Sequence, residues 1–154
     1  MLQRLNIAGV RNLQSCSLSL SRLNLFYGLN GSGKSSLLEA VHLLALGRSF
    51  RTTQMRKVIQ DGQTGCTVFA RLGSGQQLGV NKDVEGNQLL KRNGSAVNNM
   101  AELAYDLPVQ LIHPESMELI DGGSKARRQL LDWLVFHVEP SFWVVWQRYQ
   151  RALQ

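Results

Sequence analysis

A glycine-rich run, GLNGSGKS at positions 28–35, constrains this chain more than any other feature, because it satisfies G-x-x-x-x-G-K-[ST], the spacing of a phosphate-binding loop. Such a loop works only between a strand and a helix. Both flanks fit: residues 23–27 (LNLFY) predict a short buried strand, and residues 34–46 (KSSLLEAVHLLAL) predict a helix stopped by Gly47. Gly28, Gly31 and Gly33 let the backbone wrap a phosphate with its N–H groups pointing inward, and the helix that follows adds its positive end. Lys34 is expected to reach the β- and γ-phosphates and the Ser35 hydroxyl to ligate Mg²⁺, so ATP and Mg²⁺ are the expected cofactors. The nucleotide-binding set is Gly28, Leu29, Asn30, Gly31, Ser32, Gly33, Lys34, Ser35 and Ser36. A turn that merely capped a helix would need neither a lysine nor a hydroxyl at those positions.

The 154 residues suffice for one sizeable core, and no apolar stretch approaches the length of a membrane span or a secretory signal. Cys16 and Cys66 have no metal-type spacing and are expected to pack as small hydrophobes, as in a reducing cytoplasm. His42 on the predicted helix is expected to pack or cap, and His113 and His137 form no metal constellation with the isolated cysteines.

Beyond the loop the pattern is that of an α/β chain with a β-rich insert. Leu2, Leu5 and Ile7 mark an opening strand and Leu18 and Leu20 a second. Between Cys66 and Val97 the runs CTVFARL, QLGV and QLLKR are separated by GSG, EG and Asn93-Gly94, the punctuation of antiparallel strands and tight turns. The LGSGQ at residues 72–76, close to the LSGGQ signature of ATP-binding-cassette proteins, falls among these turns and is expected to be a hairpin. Residues 108–112 (PVQLI) predict another strand, a helix is expected to begin near Ser124, and PSFWVVWQRYQRALQ predicts a helix that runs off the end, as in a fragment. Trp133, Phe136, Phe142, Trp143 and Trp146 are expected to serve helix packing. No apolar strand ending in an aspartate, which would complete a Mg²⁺ site, stands out; Leu130-Leu131-Asp132 looks helical.

A formal charge of +6 and a pI near 9.8 admit a polyanionic partner beyond the nucleotide. Arg48, Arg51, Arg56 and Lys57, which follow the predicted helix closely, are candidate DNA contacts. For these residues and for a second basic group, Lys125, Arg127 and Arg128, a solvated or structural face is the commoner role of such charge runs, with nucleic-acid contact the alternative.

Several segments outside the loop carry a resemblance to the RecF family, bacterial recombination-repair ATPases related to the SMC-type ATP-binding-cassette heads. They are Arg11-Asn12 after the first strand, the loop followed by LLEA at 37–40, GRSFR at 47–51, Pro114-Glu115, and RRQLLDW at 127–133. Val10 stands where that family usually has phenylalanine.

The resemblance implies a P-loop NTPase of the ABC type, with a mixed sheet and an antiparallel β insert in a nucleotide-binding lobe (1–122) and the start of a helical lobe (123–154). It implies Arg11 and Asn12 near the nucleotide and a Q-loop equivalent within residues 110–115. It also implies an ATP-dependent homodimer that binds single-stranded or gapped DNA and acts with RecO and RecR in the cytoplasm. The implied roles are recombinational repair, replication restart and SOS induction. The full-length protein would be a slow DNA-dependent ATPase, whereas this chain would bind ATP without efficient hydrolysis. Two alternatives stay open: a nucleotide-gated DNA clamp with little turnover, and a transporter-type ATPase subunit, which fits the loop but not GRSFR or RRQLLDW.

Overall fold

In a computed structural model, residues 1–113, 116, 121 and 123–153 are described. They fall into two compact units, 1–109 and 110–154.

The first unit is built on a six-stranded sheet. Strands β1 (Leu2–Val10) and β2 (Leu13–Ser19) form a hairpin; β3 (Gly65–Leu72), β4 (Gln77–Asp83), β5 (Gln88–Arg92) and β6 (Ser95–Val97) form a meander. The spatial order is β2-β1-β3-β4-β5-β6, and every pairing among the described residues is antiparallel. Alternation sets the register: Leu5, Ile7, Val68, Ala70, Leu78, Val80 and Leu90 all point inward and are buried. Helix α1 (Lys34–Leu46) covers that inner face with Leu37, Ala40, Leu43 and Leu44, and the short α2 (Met100–Asp106) adds Leu103. Between α1 and β3 the chain returns to the end of β1, where Arg11 N donates to Val58 O at 2.7 Å and Gln60 N to Gly9 O at 2.9 Å.

Several sequence expectations are met in this unit. The helix at 34–46 ends at Gly47, whose N–H donates to Leu43 O at 2.9 Å. LGSGQ lies at the β3–β4 turn, closed by Leu72 N donating to Gln76 O at 2.8 Å. Two expected strands are not formed. Residues 23–27 and 108–112 carry no strand pairing, and Leu23, Leu25 and Tyr27 are 87%, 83% and 89% exposed. Apolar content signals a wish for burial, whereas a strand also needs a neighbour to accept its backbone bonds, and no described strand lies beside either run. Instead Asn24 closes a local turn, its Oδ1 accepting from Ser21 N at 3.0 Å and its Nδ2 donating to Ser21 O at 2.9 Å. Helix α2 was not anticipated; Asn99 caps it by accepting from Ala101 N at 2.9 Å.

The second unit contains α3 (Ser124–Val138) and α4 (Phe142–Ala152), joined by a turn in which Ser141 Oγ donates to Glu139 Oε1 at 2.7 Å. Four of the five aromatics expected to pack, Trp133, Phe136, Trp143 and Trp146, make ring contacts. The Phe136 and Trp143 rings meet edge-on 6.0 Å apart, and Trp143 stacks on Trp146 at 5.7 Å. Leu130, Leu131 and Asp132 lie inside α3. Of the expected motifs, Pro114-Glu115 falls outside the described residues.

Candidate functional site: a phosphate loop braced by a buried carboxylate

The loop is exposed over residues 28–32 and half-buried at Gly33, which occupies the cap position of α1 at φ 97°. A side chain there would be strained by that backbone angle, and its Cβ would lie 2.8 Å from Leu13 Cδ2, so glycine is required twice over. Gly31 also has positive φ, at 81°. No side chain caps the helix, which leaves the first N–H groups of α1 directed at the loop.

Lys34 Nζ donates to Gly28 O and Leu29 O, both at 2.8 Å. The ammonium therefore spans the loop, and since it carries three donors, one remains for a ligand. Ser35 is exposed beside it. Ser36 turns the other way: it is buried, and its Oγ donates to Asn12 Oδ1 at 2.8 Å. The same Asn12 amide donates through Nδ2 to Gly31 O at 2.7 Å, so one side chain clamps the loop to the helix from below.

Behind the clamp lies a network that sequence reasoning missed. Glu39, fully buried on α1, accepts from Arg11 Nε at 2.9 Å and from the Arg11 Nη2 at 2.8 Å. Ser49 Oγ donates to the same carboxylate, and Arg51 Nη1 lies 3.8 Å from it. Arg11 sits at φ 53° in the β1–β2 turn, an uncommon angle for a residue with a side chain. Hydrogen bonding to Glu39 raises the Arg11 pKa above its ordinary value, against the opposing effect of burial. The available signal was the helix's single acid, set among the leucines and alanines of its buried face. Three motif segments, Arg11-Asn12, LLEA and GRSFR, thus meet at one carboxylate.

The structure places Arg11 on Glu39 and Asn12 against the loop. Of the candidate DNA contacts, Arg48, Arg51, Arg56 and Lys57 are all exposed, although Arg51 also faces Glu39 and Arg56 Nη1 donates to Gln63 O at 3.4 Å. Arg48 lines a cavity of about 400 Å³ with His42, Phe50, Met55 and Lys82. His42 holds the loop as expected of a packed side chain: its Nδ1 lies 2.7 Å from the Arg48 carbonyl, which can only accept, so that nitrogen carries the proton. Among the described residues, no group of three or more His, Cys, Asp or Glu could hold a metal ion.

Comparison with known families is decisive for this arrangement. The profile of the RecF/RecN/SMC N terminal domain matches residues 1–126. The chain belongs to this family. Within it, the chain is 53% identical over 152 residues to the DNA replication and repair protein RecF of Acinetobacter baylyi and 50% identical over 158 residues to that of Pseudomonas entomophila. Those matches cover 98% and 99% of the chain but only 42% and 43% of the relatives, so the chain spans about two fifths of their length. The solved structure of the recombination mediator protein RecF with ATP, from the RecFOR pathway, superposes with a TM-score of 0.86 at 28% identity, covering 98% of this chain and 43% of that one. An SMC ATPase studied for ATP-driven dimerisation shares the fold at a TM-score of 0.70 and 16% identity. The fold is therefore that of an ABC-type P-loop ATPase head. Among the described residues, no helix is long and apolar enough to cross a membrane.

Proposed function

We propose that this chain is the ATP-binding lobe of a RecF-like ATPase of DNA replication and repair. The observation that carries the reading is the loop itself: an uncapped helix start, glycines at positive φ, and a lysine arched over two loop carbonyls. Residues 28–36 hold the phosphates, Lys34 turns its remaining donor to the β- and γ-phosphates, and Ser35 ligates Mg²⁺. The metal supplies charge neutralisation for the triphosphate. Asn12 holds the loop in shape, and Arg11 and Glu39 hold Asn12's turn in place, so those two side chains support the nucleotide site from behind.

By the same family likeness, residues 1–122 form the nucleotide-binding lobe and 123–154 begin a helical lobe. The full protein is a cytoplasmic homodimer assembled around ATP that binds single-stranded or gapped DNA, works with RecO and RecR, and serves recombinational repair, replication restart and SOS induction. Arg48, Arg51, Arg56 and Lys57 contribute to DNA contact. Leu130 to Asp132 being helical supports a second point: this chain binds nucleotide with little turnover, because nothing described here orients an attacking water. That outcome is shared with the clamp reading, which retains DNA with ATP bound and without hydrolysis.

Calorimetry with Mg-ATP tests the assignment. Lys34→Ala should weaken triphosphate binding at least tenfold while leaving the fold intact, and equal affinities would remove the basis for the reading.

A further inference from the structure

The face of the sheet turned away from α1 has a composition that the nucleotide site does not explain. Alternation places Arg4, Asn6 and Ala8 of β1 outward, paired with Arg71, Phe69 and Thr67 of β3. On β2, Ser15, Ser17 and Ser19 face outward opposite Ala8, Asn6 and Arg4. On β4 and β5 the outward pairs are Gly79 with Lys91 and Asn81 with Leu89. No carboxylate points outward from these strands except Asp83 at the end of β4, whose oxygens are taken by Asn87 and by the Glu85 N–H. Arg4, Arg71 and Lys91 are exposed and have no acidic partner among the described residues. Arg4 and Arg71 are direct cross-strand partners, a like-charge juxtaposition that destabilises a bare sheet and that a bound anion would relieve.

Between the cations the surface is neither charged nor flat. Gly79 supplies no side chain, and the gap forms a depression of about 370 Å³ lined by Phe69, Leu89 and Lys91. Thr67 and Asn81, hydrogen-bonded to one another at 2.8 Å, separate it from a second depression of about 350 Å³ walled by Gln14, Gln60 and Gln63. With strands ~4.8 Å apart and a rise of ~3.4 Å per residue, Arg71 and Lys91 stand roughly 12 Å apart with Phe69 and Gly79 between them.

We propose that this outer sheet face binds single-stranded nucleic acid. Arg4, Arg71 and Lys91 take backbone phosphates, Phe69 offers the face on which a base stacks over Gly79, and the glutamine-walled depression offers amide donors and acceptors to an adjacent base edge. Unpaired strands fit this surface and duplexes do not, because the depression must receive a base face that stacking in a duplex keeps covered. The proposal takes from the functional reading only the class of partner, and it needs neither ATP nor the basic residues after α1.

The test is fluorescence anisotropy of the 154-residue chain with a labelled oligothymidylate of about twenty nucleotides, titrated with salt, and with a duplex of equal length. The variant Arg4→Ala/Arg71→Ala/Lys91→Ala should weaken oligothymidylate binding about tenfold or more and make the salt slope shallower by roughly two, at ~0.7 per contact. Phe69→Leu, which keeps an apolar side chain, should weaken binding about fivefold or more with an unchanged salt slope. Lys91→Glu alone, at an exposed position, serves if the triple variant does not fold, and should weaken binding at least threefold. Wild-type affinity in the charge variants overturns the proposal, as does an equal loss on duplex DNA with no effect of Phe69→Leu. A parallel variant with Arg48, Arg51, Arg56 and Lys57 changed to alanine separates the two surfaces: loss confined to that variant places the contact beside the nucleotide loop and overturns the sheet-face site.

Discussion

Glu39 accepts both forks of the Arg11 guanidinium from a position with no solvent exposure, and so ties the middle of α1 to the turn that carries Asn12. Removing Glu39 leaves the half-buried Arg11 guanidinium and the Ser49 hydroxyl without their acceptor. Glu39→Ala is therefore expected to cost about 3 kcal/mol in chemical denaturation. Arg11→Lys should recover only part of the wild-type stability, since a lysine cannot make the forked contact. Full stability in Glu39→Ala would show that the network is dispensable.

Gly33→Ala is expected to be damaging for two independent reasons, the φ of 97° and the 2.8 Å approach to Leu13 Cδ2. Together these should lower stability by about 1–3 kcal/mol. Gly31→Ala meets no neighbour within 4 Å and bears only the backbone strain, so its thermal midpoint should lie between those of Gly33→Ala and the wild type.

The two cysteines should differ sharply in alkylation. Burial pushes the Cys66 thiol up to about 11, with Lys82 only partly opposing it. At pH 8 roughly one Cys66 in a thousand is then ionised, and the thiolate is the reactive form. Mass spectrometry after brief iodoacetamide treatment should find the modification on the half-buried Cys16 and not on Cys66. Rapid labelling of both would show that β3 opens readily.

His137 packs edge-on against Trp133 at 4.8 Å and Phe136 at 5.0 Å, and burial lowers its pKa below the ordinary histidine value. The folded state therefore favours the neutral ring. Its contribution to stability is complete above the unfolded histidine pKa and is lost as the pH falls through the depressed folded value. Tryptophan fluorescence of α3 and α4 should report a lower unfolding midpoint at pH 5 than at pH 7.5, and His137→Gln should flatten that dependence.

The 154-residue chain should release almost no phosphate from ATP in a steady-state assay, with or without DNA. Turnover comparable to that of a full-length relative would mean that the chain orients water by residues not recognised here.

The phosphate loop, α1 and the hairpins were legible in the sequence because each has a local cause: glycines at fixed spacing, leucines at helical period, and Asn93-Gly94 or GSG between alternating strands. Tertiary causes were not legible. Residues 23–27 have the composition of a buried strand yet stand exposed, since pairing depends on a neighbour that composition does not reveal. Glu39 was part of a recognised motif, but its partners Arg11 and Ser49 lie 28 and 10 residues away, and only the fold brings them together. The helix capped by Asn99 was overlooked because its seven residues are too short for a period to emerge.

The order of strands also dictates when the site can come into being. β3 to β6 follow one another as hairpins and need only short loops to close, whereas β1 meets β3 across the whole excursion that holds the phosphate loop and α1. Local contacts form early and distant ones late. Asn12 and Arg11 reach the loop and α1 over only 19 and 28 residues, so their grip can close before the more distant β1–β3 ladder, in which Leu5 meets Ala70, has zipped. A refolding chain should thus gain nucleotide affinity no later than its complete β-sheet signal, and affinity that trails the sheet would show that the ladder must be in place before the loop is gripped.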